Sequence, residues 1–305
     1  MRNFAPLPPG LDPRGFSVGS AIDADVRPGR LRSRDLNAPF WGVRAVSEQR
    51  SVADLAYAYA SRMPDDWFFS HETAAALWGI PLPPALDRTR VLSVSSPSGR
   101  AFPSGAGVRG HRLAIRPEEL VEQNGLRLTS RERTWCDLGS MLRPEHLVAA
   151  GDFLLWRRHP ALLRSSPRQL RACLDMSSIR RGRPNALYCL PLLTDRSDSP
   201  PESILRVRYV RAGFRGIVPN PLVHDPSGQV VVMPDLGFLK FRVGIDYEGD
   251  IHRVDNRTWA KDLRRASLFE DAGWLYIRAG SVDLSDSRPL LALTMRRLLS
   301  RGYGP

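Results

Sequence analysis

In Phe241-Arg242-Val243-Gly244-Ile245-Asp246-Tyr247-Glu248 the side chains alternate along the length of a strand. Val243, Ile245 and Tyr247 fall on one face, and Gly244, Asp246 and Glu248 on the other, so two carboxylates stand side by side. Upstream, 217–223 and 229–236 are apolar-rich and are separated by His224-Asp225-Pro226-Ser227-Gly228. There Pro fixes φ and Gly accepts positive φ, which predicts a β-hairpin. If the chain reverses near Leu239-Lys240, Asp235 comes opposite 244–246 and converges with Asp246 and Glu248. Further upstream, 201–210 opens on Glu202 and leaves Ile204, Leu205, Val207, Arg208 and Val210 on one side. With Pro just inside its start and Gly213 just past its end, it predicts an amphipathic helix of about three turns that brings Glu202 to the same place. Downstream, a helix capped by Asp255 runs through Trp259, Leu263, Ala266 and Phe269 to Gly273. A buried strand over 274–278 and a core-packing helix over 289–299 follow. The order is helix, three antiparallel strands, helix, strand, helix.

Carboxylates crowded on one sheet face raise one another's pKa unless positive charge sits among them. Oxygen ligands without thiolates suit Mg²⁺ or Mn²⁺, an ion that polarises phosphate and activates water. The plainer alternative makes these acids solvated strand edges and salt-bridge partners.

Pro201-Glu202-Ser203 with Leu205-Arg206, Pro234-Asp235-Leu236, Asp246-Tyr247-Glu248-Gly249-Asp250 with His252-Arg253, Trp259 with Asp262 and Arg265, and Gly273-Trp274 with Arg278 come in that order. The pattern resembles the very-short-patch-repair-like endonuclease domains of the PD-(D/E)xK nuclease superfamily. The resemblance implies a restriction-endonuclease-like αβββαβ core over 199–305. It implies Mg²⁺, with Mn²⁺ as substitute, at Asp235, Asp246 and Glu248. Glu202 supports the site, and His252 handles the proton in place of the superfamily lysine, whose position holds Glu248. Arg265 and Arg278 steady phosphate or the acidic cluster, and Asp262 pairs with Arg265 one turn on. Relatives more often read Glu-x-Asp where this chain reads Asp246-Tyr247-Glu248, which shifts each carboxylate by about one methylene.

The whole chain of 305 residues has room for two cores. Its net charge of +12 is carried almost wholly by arginine, because Lys240 and Lys261 are the only lysines. Guanidinium forks match phosphate, and the balance makes DNA the leading partner. Genomic base composition accounts for Arg over Lys but not for the surplus of positive charge. No apolar run is long enough to cross a membrane, and no apolar signal core opens the chain, so a cytoplasmic protein is expected. Cys136, Cys173 and Cys189 have no metal-like spacing and read as reduced core residues.

The N-terminal half divides differently. Residues 1–15, with four prolines and two glycines, read as a loose tail. Over 16–50, short helices at 17–25 and 30–36 and a hairpin at 38–46 give the plan of a winged helix. Arg30, Arg32, Arg34 and Arg44 are its candidate DNA contacts; a helical hairpin with a solvated Arg face is the alternative. Over 51–150, helices at 52–63 and 71–78, strands at 91–95, 107–113 and 126–129, and a helix from Ser130 predict a small α/β domain. His71 reads as a cap or core histidine, and Glu132 and Asp137 as helix-face charges. Ser70-His71-x-Thr73-Ala74-Ala75-x-Leu77-Trp78-Gly79, Gly110-His111-Arg112 and Arg133-Thr134-x-x-Asp137-Leu138 resemble the AbiEi-type antitoxin region. That resemblance implies a winged helix that binds an operator and a domain that controls a cognate toxin in phage-defence operons. Residues 151–198 read as a basic helical connector suited to nucleic-acid backbone.

The expected protein is thus an α/β (α+β) chain and a metal-dependent DNA endonuclease or nickase, acting in phage defence or repair. The rival expectation is an AbiEi-like antitoxin or transcriptional regulator whose nuclease fold only binds.

Overall fold

The computed structural model describes residues 4–225, 227–249 and 256–304, and within these not the side chains of 162 and 256–263. The chain is mixed α/β and forms two compact units, Met1–Met141 with Arg168–Pro184, and Leu142–Pro167 with Asn185–Pro305.

In the first unit β1 (Phe16–Ser17) pairs antiparallel with β2 (Val43–Arg44), flanking α1 (Val18–Asp23). The expected helix at 30–36 is a single 3-10 turn, Arg30–Arg32; the expected hairpin at 38–46 is reduced to one antiparallel bridge, Asn37 with Ala45, while Val43 and Arg44 pair with β1. Too few residues in the stretch are apolar to seat a longer helix; Leu31 alone of that turn is buried. The described part of the expected loose tail, from Phe4, is docked instead. Leu7 and Leu11 pack against Phe16, Ala21, Val26 and Leu31, and a Cβ on Gly15 would lie 2.3 Å from the Ala58 Cα.

The helix α2 (Val52–Ala60) starts in a reciprocal Ser51–Asp54 capping box. Next come β3 (Phe68–Phe69), α3 (His71–Trp78), which Gly79 ends at φ +71°, and α4 (Pro84–Asp87). The strands β4 (Leu92–Pro97), β5 (Val108–Leu113), β6 (Leu120–Gln123) and β7 (Leu126–Thr129) complete a mixed sheet ordered β5-β4-β3-β7-β6. Ser130 caps α5 (Arg131–Leu138) with its side chain. Phe69, Leu92, Val94, Leu126 and Leu128 of the sheet form one core with Leu55, Ala56, Ala58 and Tyr59 of α2.

The expected connector 151–198 is not a separate element. Residues 168–184 belong to the first unit and the rest to the second. Here α6 (Pro144–Leu155) is nearly all buried, α7 (Pro167–Met176) buries Leu170, Cys173 and Leu174, and α8 (Arg183–Cys189) straddles the boundary. All three cysteines are buried thiols.

The second unit continues with α9 (Pro200–Arg211), β8 (Ile217–Pro219), β9 (Val223–His224), β10 (Val230–Val232), β11 (Leu236–Phe238) and β12 (Val243–Glu248). Then come α10 (Asn256–Asp271), β13 (Leu275–Gly280), α11 (Ser281–Ser285) and α12 (Arg288–Leu299). Its sheet is ordered β13-β12-β11-β8: β8, β11 and β12 are antiparallel neighbours, and β13 joins β12 in parallel. The expected hairpin is this β8–β11 pair with β9 and β10 paired at its tip. The third strand begins two residues later than expected, because Leu239–Phe241 is a 3-10 turn. Val243, Ile245 and Ile277 pack with Leu205, Tyr209, Leu290 and Leu298, while Phe269 of α10 lies against the opposite face at Gly244. The helix α9 is not one-sided: Glu202 through Val207 and Tyr209 are all buried. Its second covered side faces α6, where Arg206 Nη2 meets Asp152 Oδ2 at 2.8 Å. Among the described residues no helix is long and apolar enough to cross a membrane.

Candidate active site

The register Leu236↔Ile245 sets Asp235 and Asp246 opposite one another one residue further along the β11–β12 ladder. They are locked there by main chain. The Asp235 N–H donates to Asp246 Oδ1 at 3.0 Å, and the Tyr247 N–H donates to Asp235 Oδ2 at 2.7 Å. From α10, Arg265 donates through Nε to Asp246 Oδ2 and through Nη2 to Asp246 Oδ1 at 3.1 Å. The same Nη2 reaches the Met233 carbonyl at 2.9 Å, so one guanidinium ties strand, loop and helix together.

Glu202 enters from the first turn of α9, whose N-cap is Ser199. Its Oε2 accepts the Asp198 N–H at 2.9 Å and Asn220 Nδ2 at 3.2 Å. Asn220 also donates its main-chain N–H to the Asp235 carbonyl at 2.9 Å, so one residue holds Glu202 and Asp235 together. It does so at φ +47°, a left-handed value that Asn tolerates better than most residues. Asn220 was missed from sequence; its signal is the Pro219-Asn220-Pro221 turn.

Burial, followed by repulsion from Glu202, pushes the Asp235 carboxyl up to about 7, with repulsion from Asp246 added and the Tyr247 N–H and Arg265 opposing. Burial also raises Glu202, against hydrogen bonds from Ser199, Asp198 and Asn220. The hydrogen bond to Asp246 raises Arg265. A carboxyl that titrates near neutrality among other acids can exchange a proton or bind a cation.

Glu248 lies on the same strand face, but its Oε2 accepts from Arg278 Nη2 at the half-exposed end of β12. The structure therefore gathers Glu202, Asp235, Asp246 and Arg265, and sets Glu248 with Arg278 beside them. Among the described residues no group of three His, Cys, Asp or Glu is arranged to hold a metal ion. His252, Asp250 and Asp255 lie outside the described residues, as do the side chains of Trp259 and Asp262.

The N-terminal arginines differ among themselves. Arg30 is bound to Asp35 and to the Ala5 carbonyl, and Arg44 to the Leu31 and Val43 carbonyls, whereas Arg32 and Arg34 are exposed. A polar cluster in the first unit also went unread. The imidazoles of His71 and His111 stack at 4.0 Å; Ser70 Oγ lies 2.9 Å from His71 Nδ1, and Ser93 Oγ lies 3.1 Å from His111 Nε2. His71 takes φ +49° at the strand-to-helix turn, and burial pulls both imidazoles down to about 4. Asp137 is not a helix-face charge: it is buried and paired with Arg133, whose Nε reaches Oδ1 at 2.9 Å. No family model matches this chain, and neither the curated proteins nor the solved structures contain a match to it.

Proposed function

We propose that the second unit is a metal-dependent DNA endonuclease or nickase of the very-short-patch-repair-like type, with Asp235 and Asp246 as its central acids. The observation that carries the reading is Asp235, held by main-chain hydrogen bonds against Asp246 and beside Glu202, with its carboxyl lifted to about 7. A helix, three antiparallel strands, a helix and a parallel strand, in that order, support the reading of a restriction-endonuclease-like core, with Asp235 and Asp246 opposite one another at β11 and β12.

Carboxylate oxygens are the ligands a hard divalent cation takes, and its charge would relieve the repulsion between Asp235 and Glu202. Asp235 and Asp246 would hold Mg²⁺ or Mn²⁺, with Glu202 in support. When bound, the ion supplies charge against phosphate and lowers the pKa of water. Burial and the nearby Glu202 disfavour the Asp235 carboxylate, and a bound cation would favour it. Arg265 fixes the Asp246 carboxylate through two N–H bonds, and Arg278 steadies Glu248 at the strand end. His252 is the proton handler the resemblance implies. The net charge of +12 draws a polyanionic substrate.

The test is relaxation of supercoiled plasmid with Mg²⁺, with Mn²⁺ and with chelator. The expected outcome is metal-dependent nicking that falls to background in Asp235→Ala while that variant keeps its circular dichroism. A folded Asp235→Ala that nicks normally removes these acids from the chemistry.

A second reading is favoured by the pairing of both β12 acids with arginine, Asp246 with Arg265 and Glu248 with Arg278, which neutralises them without a cation. The unit is then a binding module in an antitoxin or transcriptional regulator, with a cognate toxin as partner. Binding to DNA upstream of its own gene, unaffected by chelator and lost in the exposed-arginine double variant Arg32→Ala/Arg34→Ala, together with no nicking under any metal, distinguishes it.

A further inference from the structure

Trp41 is 86% exposed on a turn that is otherwise held fast. Phe40 before it is buried and meets Tyr59 edge-on at 5.0 Å. Gly42 after it takes φ +74°, a left-handed value that side chains rarely adopt, and β2 begins at the next residue. With both neighbours anchored, the indole is presented outward. Arg62 donates through Nη1 to the Trp41 carbonyl at 2.6 Å and places its guanidinium 5.5 Å from the indole centroid. A groove of ≈ 880 Å³ runs alongside, lined by Val18, Ile22, Phe40, Trp41, Arg44 and Arg62 among others, and no acid is among its lining residues.

A flat aromatic with an open face, an apolar floor and guanidinium groups without a carboxylate call for a ligand that is planar and anionic at its margin. A nucleobase joined to phosphate has that chemistry. In a duplex the base faces are spent on stacking with one another, whereas an unpaired base offers a whole π-face to a side chain. An acidic peptide would satisfy the guanidiniums but would leave the indole face without a planar partner. We propose that this groove binds an unpaired base of single-stranded nucleic acid, stacked on Trp41 with Arg62 beside the indole as the cation for the adjoining phosphate. The site rests on the reading of the protein as one that acts on DNA, and it adds the form of DNA that is held.

The experiment is fluorescence anisotropy of the full chain in chelator, with a short labelled oligothymidylate and with a duplex of equal length. Trp41→Ala is expected to weaken single-strand binding by about tenfold or more, as loss of one base–aromatic stack does. Trp41→Phe should recover most of that affinity, and duplex binding should be alike in all three proteins. Binding is read in chelator and separately from nicking, so an absence of nicking leaves this result standing. Equal single-strand affinity with and without the indole, or an equal loss on the duplex, overturns the proposal.

Discussion

Asp235 occupies a position in which ionisation opposes the fold. Its carboxyl titrates at 3.8 when unperturbed and at about 7 in the folded chain. Between those values the folded state holds the extra proton, so Asp235's share of stability is present below about pH 4 and is lost as pH rises through about 7. In Asp235→Asn no charge forms, and the Oδ that accepts the Tyr247 N–H is kept. The variant is therefore expected to melt higher than the unaltered protein in chelator, by a margin that widens from pH 4 to pH 8 and then stays level. Thermal unfolding across that range is the check, and a margin that does not change with pH would assign the cost to something other than the charge. Mg²⁺ should narrow the gap at pH 8 by supplying the missing positive partner.

Among the elements, β12 and α10 decide where the acids stand. A Cβ on Gly244 would lie 2.7 Å from Phe269 Cε1 and 3.3 Å from Pro234 Cβ. Phe269 is fully buried and stacked on Tyr276 at 4.5 Å, so its ring has no free direction in which to yield. Gly244→Ala is thus expected to cost about 1–3 kcal/mol of stability, the usual penalty of overpacking. It should also loosen the Asp246–Arg265 pair, because Arg265 and Phe269 share α10; urea unfolding reads the first effect. The alternation in 243–248 and the turn chemistry of 224–228 were legible because strand period and turn residues are local properties, and they brought Asp235 to Asp246 correctly. The role of Asn220 was not legible, since it depends on a left-handed residue linking α9 to β11. Nor was the full burial of α9, because its second covered side is made by α6, more than forty residues upstream. Likewise the stacking of His71 on His111 joins the start of α3 to β5, and no local pattern announces it.

At the scale of the whole molecule, the chain passes between its two units at 141/142, 167/168 and 184/185. A composition shift at 194–201 marks only a turn before α9, and a boundary drawn at 198/199 cuts through a core. Asp152 of α6 accepts from Ser203 Oγ at 2.7 Å, from Arg206 Nη2 at 2.8 Å and from the Thr194 N–H at 2.7 Å. Glu145, in the first turn of α6, takes Arg211 at 3.1 Å. Without α6 a whole side of α9 loses its cover, and Arg206 loses the partner that makes its burial tolerable; breaking such a buried pair costs about 3–5 kcal/mol. A fragment of residues 199–305 is therefore expected to unfold without a cooperative transition, although it contains the sheet and every described acid of the site. A fragment of 142–305 should melt sharply, because α6 is restored. Calorimetry on the two fragments decides the matter: a sharp transition in 199–305 at the temperature of the longer fragment would mean that α6 is an attachment to the sheet and its helices and not part of their fold.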